Sequence, residues 1–154
     1  MQARALVALI GLAGLAQAAS PLAHAALGGD AASIQDDGAR MKGQVRTAIP
    51  AGGYSVEEVT IPSGTVVREY ISRTGRVFAV SWRGPSKPDL RQTLGAYYDQ
   101  FVTGARAPHL GGHRHLLVRQ ADLVVESNGR AHAFFGRAYV PSLLPANFAV
   151  DEIQ

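Results

Sequence analysis

The chain has no cysteine in 154 residues. Disulfides, thiolate metal centres, thiol nucleophiles and a lipid-anchoring lipobox are excluded at once, so any folded domain must be held by packing alone. Charge of one sign is also lacking. Fifteen Lys and Arg face twelve Asp and Glu, for a net charge of +3. The arginines that dominate the cations are scattered among acids instead of forming a basic stripe, which argues against nucleic acid as a partner. No Gly-x-Ser-x-Gly elbow occurs, and Leu27-Gly28-Gly29-Asp30 is followed by no Lys-Ser/Thr, so neither a serine-hydrolase nor a phosphate-cradling motif is present. Internal repeats are absent as well.

The one long apolar run, Ala5 to Leu15, follows the positive charge of Arg4. It falls well short of the ~20 residues that span a bilayer, and small residues follow it, which is the pattern of a cleaved export signal. A buried N-terminal helix would instead show a polar face. Two small-x-small sites compete for the peptidase, Ala16-Gln17-Ala18 and Ala23-His24-Ala25. Pro21 breaks the apolar helix just before the second, so cleavage is expected after Ala25. The product is then periplasmic or secreted, with no stable membrane anchor.

The expected organisation is a signal over 1–25, an N-terminal lead-in and linker over 26–53, and one domain over 54–154. A short helix over Ala31 to Met41 is expected in a loosely docked lead-in, and Thr47 to Gly53, with Pro50 and paired glycines, reads as linker. Tyr54 to Ile61, Thr65 to Ser72 and Arg76 to Arg83 read as strands, separated by turn residues at Pro62-Ser63-Gly64 and Thr74-Gly75. A two-residue turn at Thr74-Gly75 sets Ile71 opposite Phe78 and Val67 opposite Trp82, and places these four with Val80 on one inner face. Ser86-Lys87-Pro88-Asp89 reads as a helix start with Ser86 as N-cap. The helix is expected to reach Val102, with Leu90, Leu94, Tyr97 and Phe101 as its apolar stripe and Gly104 as C-cap. Asn128-Gly129 predicts a hairpin turn between strands Leu116 to Ser127 and Arg130 to Val140. Its inner face should carry Leu117, Ala121, Leu123, Val125, Phe134, Ala138 and Val140. The fold class is α+β, an antiparallel sheet of about five strands in the order β-β-β-α-β-β, with one long amphipathic helix on one face.

Chemistry-bearing residues are few. His109, His113 and His115 lie within a glycine-containing heptad and could supply imidazole ligands to zinc or copper; a solvated loop is the competing reading. Glu69 falls on the inner strand face, where a carboxylate needs a donor or takes up a proton. Arg119 and His132 also fall on the nominal inner face, so Glu69, Arg119 and His132 are expected to form a buried polar network. An enzyme using Glu69 with His132 is the alternative. Asp36-Asp37 and Glu57-Glu58 are sequence neighbours that point to opposite sides of an extended chain, and they read as surface groups.

The strings Ala26-Leu27-Gly28-Gly29, Pro62-Ser63-Gly64-Thr65-Val66-Val67-Arg68-Glu69-Tyr70 and Val77-Phe78-Ala79-Val80-Ser81-Trp82-Arg83-Gly84-Pro85, with Pro88-Asp89-Leu90, resemble a family of small exported proteins of Gram-negative bacteria catalogued only as a domain of unknown function. The resemblance runs from Ala26 to Gln154. It implies cleavage between Ala25 and Ala26, and it implies no catalytic residue and no cofactor. The expected role is a non-enzymatic accessory or binding protein that engages a protein or small-molecule partner in the cell envelope through an exposed edge or face of its sheet.

Overall fold

Branched and aromatic residues alternate with polar ones between Tyr54 and Gly84, and in the computed structural model, which describes residues 26–31, 44–51, 53–107 and 115–154, that stretch folds into three consecutive strands. They are β2 (Tyr54–Thr60), β3 (Val66–Ser72) and β4 (Val77–Gly84). With β1 (Gln44–Ala51), β5 (His115–Gln120), β6 (Leu123–Arg130) and β7 (Ala133–Tyr139) they form one antiparallel sheet of seven strands among the described residues, in the order β1-β2-β3-β4-β7-β6-β5. The α+β class and the helix packed on one face hold, and the count exceeds the expected five for two reasons.

Gln44–Ala51 pairs with β2 instead of linking, and it can do so despite Pro50 because an edge strand has one row of backbone groups with no ladder to complete. The expected single strand over Leu116 to Ser127 folds back at Ala121-Asp122 into β5 and β6. That reversal changes which residues face inward. Val118 is buried, whereas Leu117, expected inside, is 39% exposed.

The second hairpin closes at Ala131-His132, with Arg130 opposite Ala133, and not at Asn128-Gly129. His132 takes a left-handed φ of 62° to make the turn. Moving the turn changes every partner by an even number of residues, so Leu123, Val125, Ala138 and Val140 keep their inward side and are buried.

Register between β3 and β4 agrees with expectation at Val67 opposite Trp82, but Ile71 faces Val77, because β4 carries a bulge at Phe78. The bulge rotates Phe78 to the other face. There it packs with Tyr70, Ala79 and Ile153, and with the rings of Tyr54 and Phe148 at centroid distances of 5.9 and 4.8 Å. The sheet therefore has a core on each side. One lies beneath the helix and includes Val67, Val80, Trp82, Leu94, Phe101 and Val125. The other lies beneath the segment after β7.

The helical crossover runs from Leu90 to Ala105 as α1 (Leu90–Leu94), a 3-10 turn (Gly95–Tyr97) and α2 (Tyr98–Ala105). Its N-cap is Asp89, whose carboxylate accepts from Arg91 N at 2.8 Å; Ser86 instead bonds Thr65 and Ser63. Gly104 lies inside α2 and does not cap it. The break falls at Gly95, with φ of 50°, where a Cβ would lie 2.5 Å from Ala26 Cβ. Ala26 and Leu27 are thus core, 3% and 1% exposed, and the lead-in is firmly docked here: Gly28 N donates to Val77 O and Val77 N to Gly29 O. The helix expected over Ala31 to Met41 lies, beyond Ala31, outside the described residues. So does the signal segment 1–25.

Truncating Leu27 removes a fully buried side chain at the junction of helix and sheet. Leu27→Ala is expected to lower unfolding free energy by ~2–5 kcal/mol, against less than ~0.5 kcal/mol for Leu117→Ser on the exposed side, both read from urea denaturation.

Candidate functional site

Glu69 sits where the strand alternation puts it, on the helix-side face and 2% exposed. Its register partners are Val80 on β4 and Glu57 on β2, so two carboxylates face each other across neighbouring strands. Glu57 is therefore an inward residue and not the surface group its sequence suggested. Burial pushes its carboxyl above the usual carboxylate range. Its Oε2 is buried with no hydrogen-bond partner among the described residues.

The residues expected beside Glu69 are elsewhere. Arg119 lies on the edge strand β5, four strands from β3, and is exposed; His132 is exposed in the β6–β7 turn. The structure does not bring the three together. His115 begins β5 and is exposed, with its Nδ1 bonded to Asn128 Oδ1. His109 and His113 lie outside the described residues. Among the described residues no three His, Cys, Asp or Glu side chains cluster as a metal site.

The opposite face carries the organised polar chemistry. One register row crosses all seven strands as Arg46, Glu58, Arg68, Ser81, Arg137, Glu126 and Leu117. An arginine and then a glutamate follow Ser81 on either side, and Arg46 extends the alternation on one side only. Arg68 Nε bonds Glu58 Oε1 at 2.7 Å, and Arg137 Nε bonds Glu126 Oε2 at 2.9 Å, both pairs being partly buried. The inner donors of this row, joined by Tyr70, hold the segment Val150 to Gln154 by its backbone oxygens. Gln154 O accepts from Ser81 Oγ at 2.7 Å, Arg68 Nη1 at 3.0 Å and Tyr70 OH at 3.1 Å, and Val150 O accepts from Arg137 Nη1 at 2.9 Å. Nearby, Tyr54 OH donates to Glu152 Oε2 at 2.8 Å; burial and that carboxylate raise its phenol to about 12.

The neighbouring row on the same face is Thr60, Val66, Arg83, Phe135, Asn128 and His115. Phe135 is 48% exposed, and the Arg83 guanidinium lies 5.9 Å from its ring centroid. Depressions flank this ring. One, of ≈ 210 Å³, is bounded by Asn128, Arg137, Ile153 and Gln154; the other, of ≈ 310 Å³, by Pro85, His132, Ala133 and Phe134. The strand beneath is shaped for this: a Cβ on Gly136 would lie 2.3 Å from the Trp82 ring, so glycine lets the indole cross β7 on the helix side.

Of these residues the sequence singled out only His115, as a metal ligand, and His132, as a partner of Glu69; Arg83, Phe135 and Arg137 were missed. The usable signal was Phe134-Phe135 on a strand next to a turn, where alternation forces one ring to each side.

Fold and surface together define an α+β protein built on a single two-sided antiparallel sheet, with an aromatic and cationic patch on the face away from the helix. The chain belongs to the family described as protein of unknown function DUF2844, whose model matches residues 23–153. No curated protein and no solved structure matches the chain.

A carboxyl whose folded-state value is raised binds protons more readily when native than when unfolded. Stability then falls as pH rises from about 4.5, the ordinary value of Glu57, through the raised one. Glu57→Gln is expected to gain a few degrees of melting temperature over the parent at pH 7 and little at pH 4, measured by circular dichroism; an equal gain at both would contradict the burial of this charge.

Proposed function

We propose that this protein is an exported accessory protein, periplasmic or secreted, that acts by binding a partner on the sheet face away from the helix and not by catalysis. The observation that carries this reading is Phe135, a large apolar ring standing half in water on a rigid sheet, with a guanidinium over it and a depression on either side. Exposed aromatic and arginine side chains in a recessed, well-supported setting are the usual anchors of recognition surfaces. The charged groups beside it favour binding over proton transfer, because Glu126 and Arg137 already satisfy each other at 2.9 Å. What the cleft offers is hydrogen-bond donors and an aromatic face. Export is supported by Arg4, the short apolar run after it and the two small-x-small sites. No helix among the described residues is long and apolar enough to cross a membrane.

Two measurements test the reading. N-terminal sequencing of protein recovered from the envelope or medium should begin at Ala26; an intact Met1 would reject export. Affinity capture from the native envelope fraction should retain a partner at stoichiometry, and Phe135→Asp should lose it while melting within a few degrees of the parent. Retention unchanged by Phe135→Asp would move the binding surface elsewhere.

A further inference from the structure

Deepening that reading, we propose that the groove flanking Phe135 takes an acidic peptide segment of a partner protein, with a carboxylate on Arg83 and an apolar side chain against the Phe135 ring. Charge points to the sign of the occupant. Arg83 is exposed and has no carboxylate partner among the described residues, and His132 borders the same depression, while Lys87 lies 5.7 Å from the Phe134 ring at its rim. Glu126 is the one Asp or Glu side chain lining either depression, and it is held by Arg137. A negatively charged ligand therefore meets a guanidinium that no Asp or Glu side chain among the described residues holds.

A peptide is indicated by what already occupies the adjoining strip. Along Val150 to Gln154 this face holds a peptide segment by its backbone oxygens, Arg137 on Val150 O and Arg68, Tyr70 and Ser81 on Gln154 O, and Ile153 and Gln154 form the wall of the ≈ 210 Å³ depression. A second segment laid in the groove meets the same kind of surface, with the Asn128 side chain and the free donors of Arg83 in place of that row. The form of the patch disfavours a lipid surface, because its ring sits between two hollows, whereas membrane docking calls for protruding apolar groups and clustered cations.

The test is fluorescence anisotropy with a fluorescein-labelled peptide library carrying two carboxylates beside one phenylalanine in otherwise random flanks, a matched library with Asn and Gln for the acids, and phosphatidylglycerol vesicles. The acidic library should bind, more weakly at high salt, and Arg83→Gln and Phe135→Ala should each weaken binding by roughly tenfold. Arg119→Gln, an exposed arginine away from the groove, should leave it unchanged. Equal binding of the amide library, indifference to Phe135→Ala, binding to vesicles alone, or no binding of any peptide would each overturn the proposal. If envelope capture still depends on Phe135 in that event, the binding reading survives and only the acidic-peptide assignment falls.

Discussion

Strand β4 is buried on both of its faces, and that double burial organises everything else. Six consecutive residues from Val77 to Trp82 are inaccessible, which a regular strand achieves only when each side of the sheet is covered. The bulge at Phe78 shifts the alternation by one residue and delivers a large ring to the side away from the helix. Without it the segment after β7 would have only Tyr54 and Tyr70 as aromatic floor to dock on. Tyr54, Tyr70 and Phe78 form that floor, and Phe148 and Ile153 of the docking segment pack onto it.

The second face is covered only in part. The segment Val150 to Gln154 lies across Tyr70 and Ser81, and beside it Arg83 and Phe135 are exposed. Ion pairs in the neighbouring row contribute little energy each, on the order of 1 kcal/mol or less at this exposure. Their effect is positional. They hold two guanidinium groups flat on the sheet with donors directed upward, where a main-chain oxygen meets them. The helix-side face follows the opposite logic, with two facing glutamates accepted in an otherwise apolar layer.

Sequence reasoning succeeded where side-chain alternation and turn chemistry coincided. Strands β2, β3 and β4, the pairing of Val67 with Trp82, the inward placement of Glu69 and the apolar stripe of the crossover helix all follow from period-two and period-3.6 patterning. It failed where a competing local signal was weaker than its tertiary use. Pro50 argued for a linker and was admitted to an edge strand, while Asn128-Gly129 argued for a turn and was absorbed into a longer hairpin, where Asn128 bonds His115 and Gly129 gives room to the Phe134 ring. The supposed network of Glu69, Arg119 and His132 dissolved for the same reason, since Ala121-Asp122 reversed the chain and turned Arg119 outward.

What the sequence determined by itself is which side of β3, β6 and β7 faces the helix, because alternation is a property of the backbone and survives any even shift of register; the bulge at Phe78 and the reversal at Ala121-Asp122 changed it in β4 and β5. Which strands are neighbours, and hence which polar residues share a row, was decided by tertiary structure alone. Cross-strand partners are set by where the chain turns and by what covers each face, and the covering groups include Leu27 and Ile153, buried residues far in sequence from most of the strands they pack on.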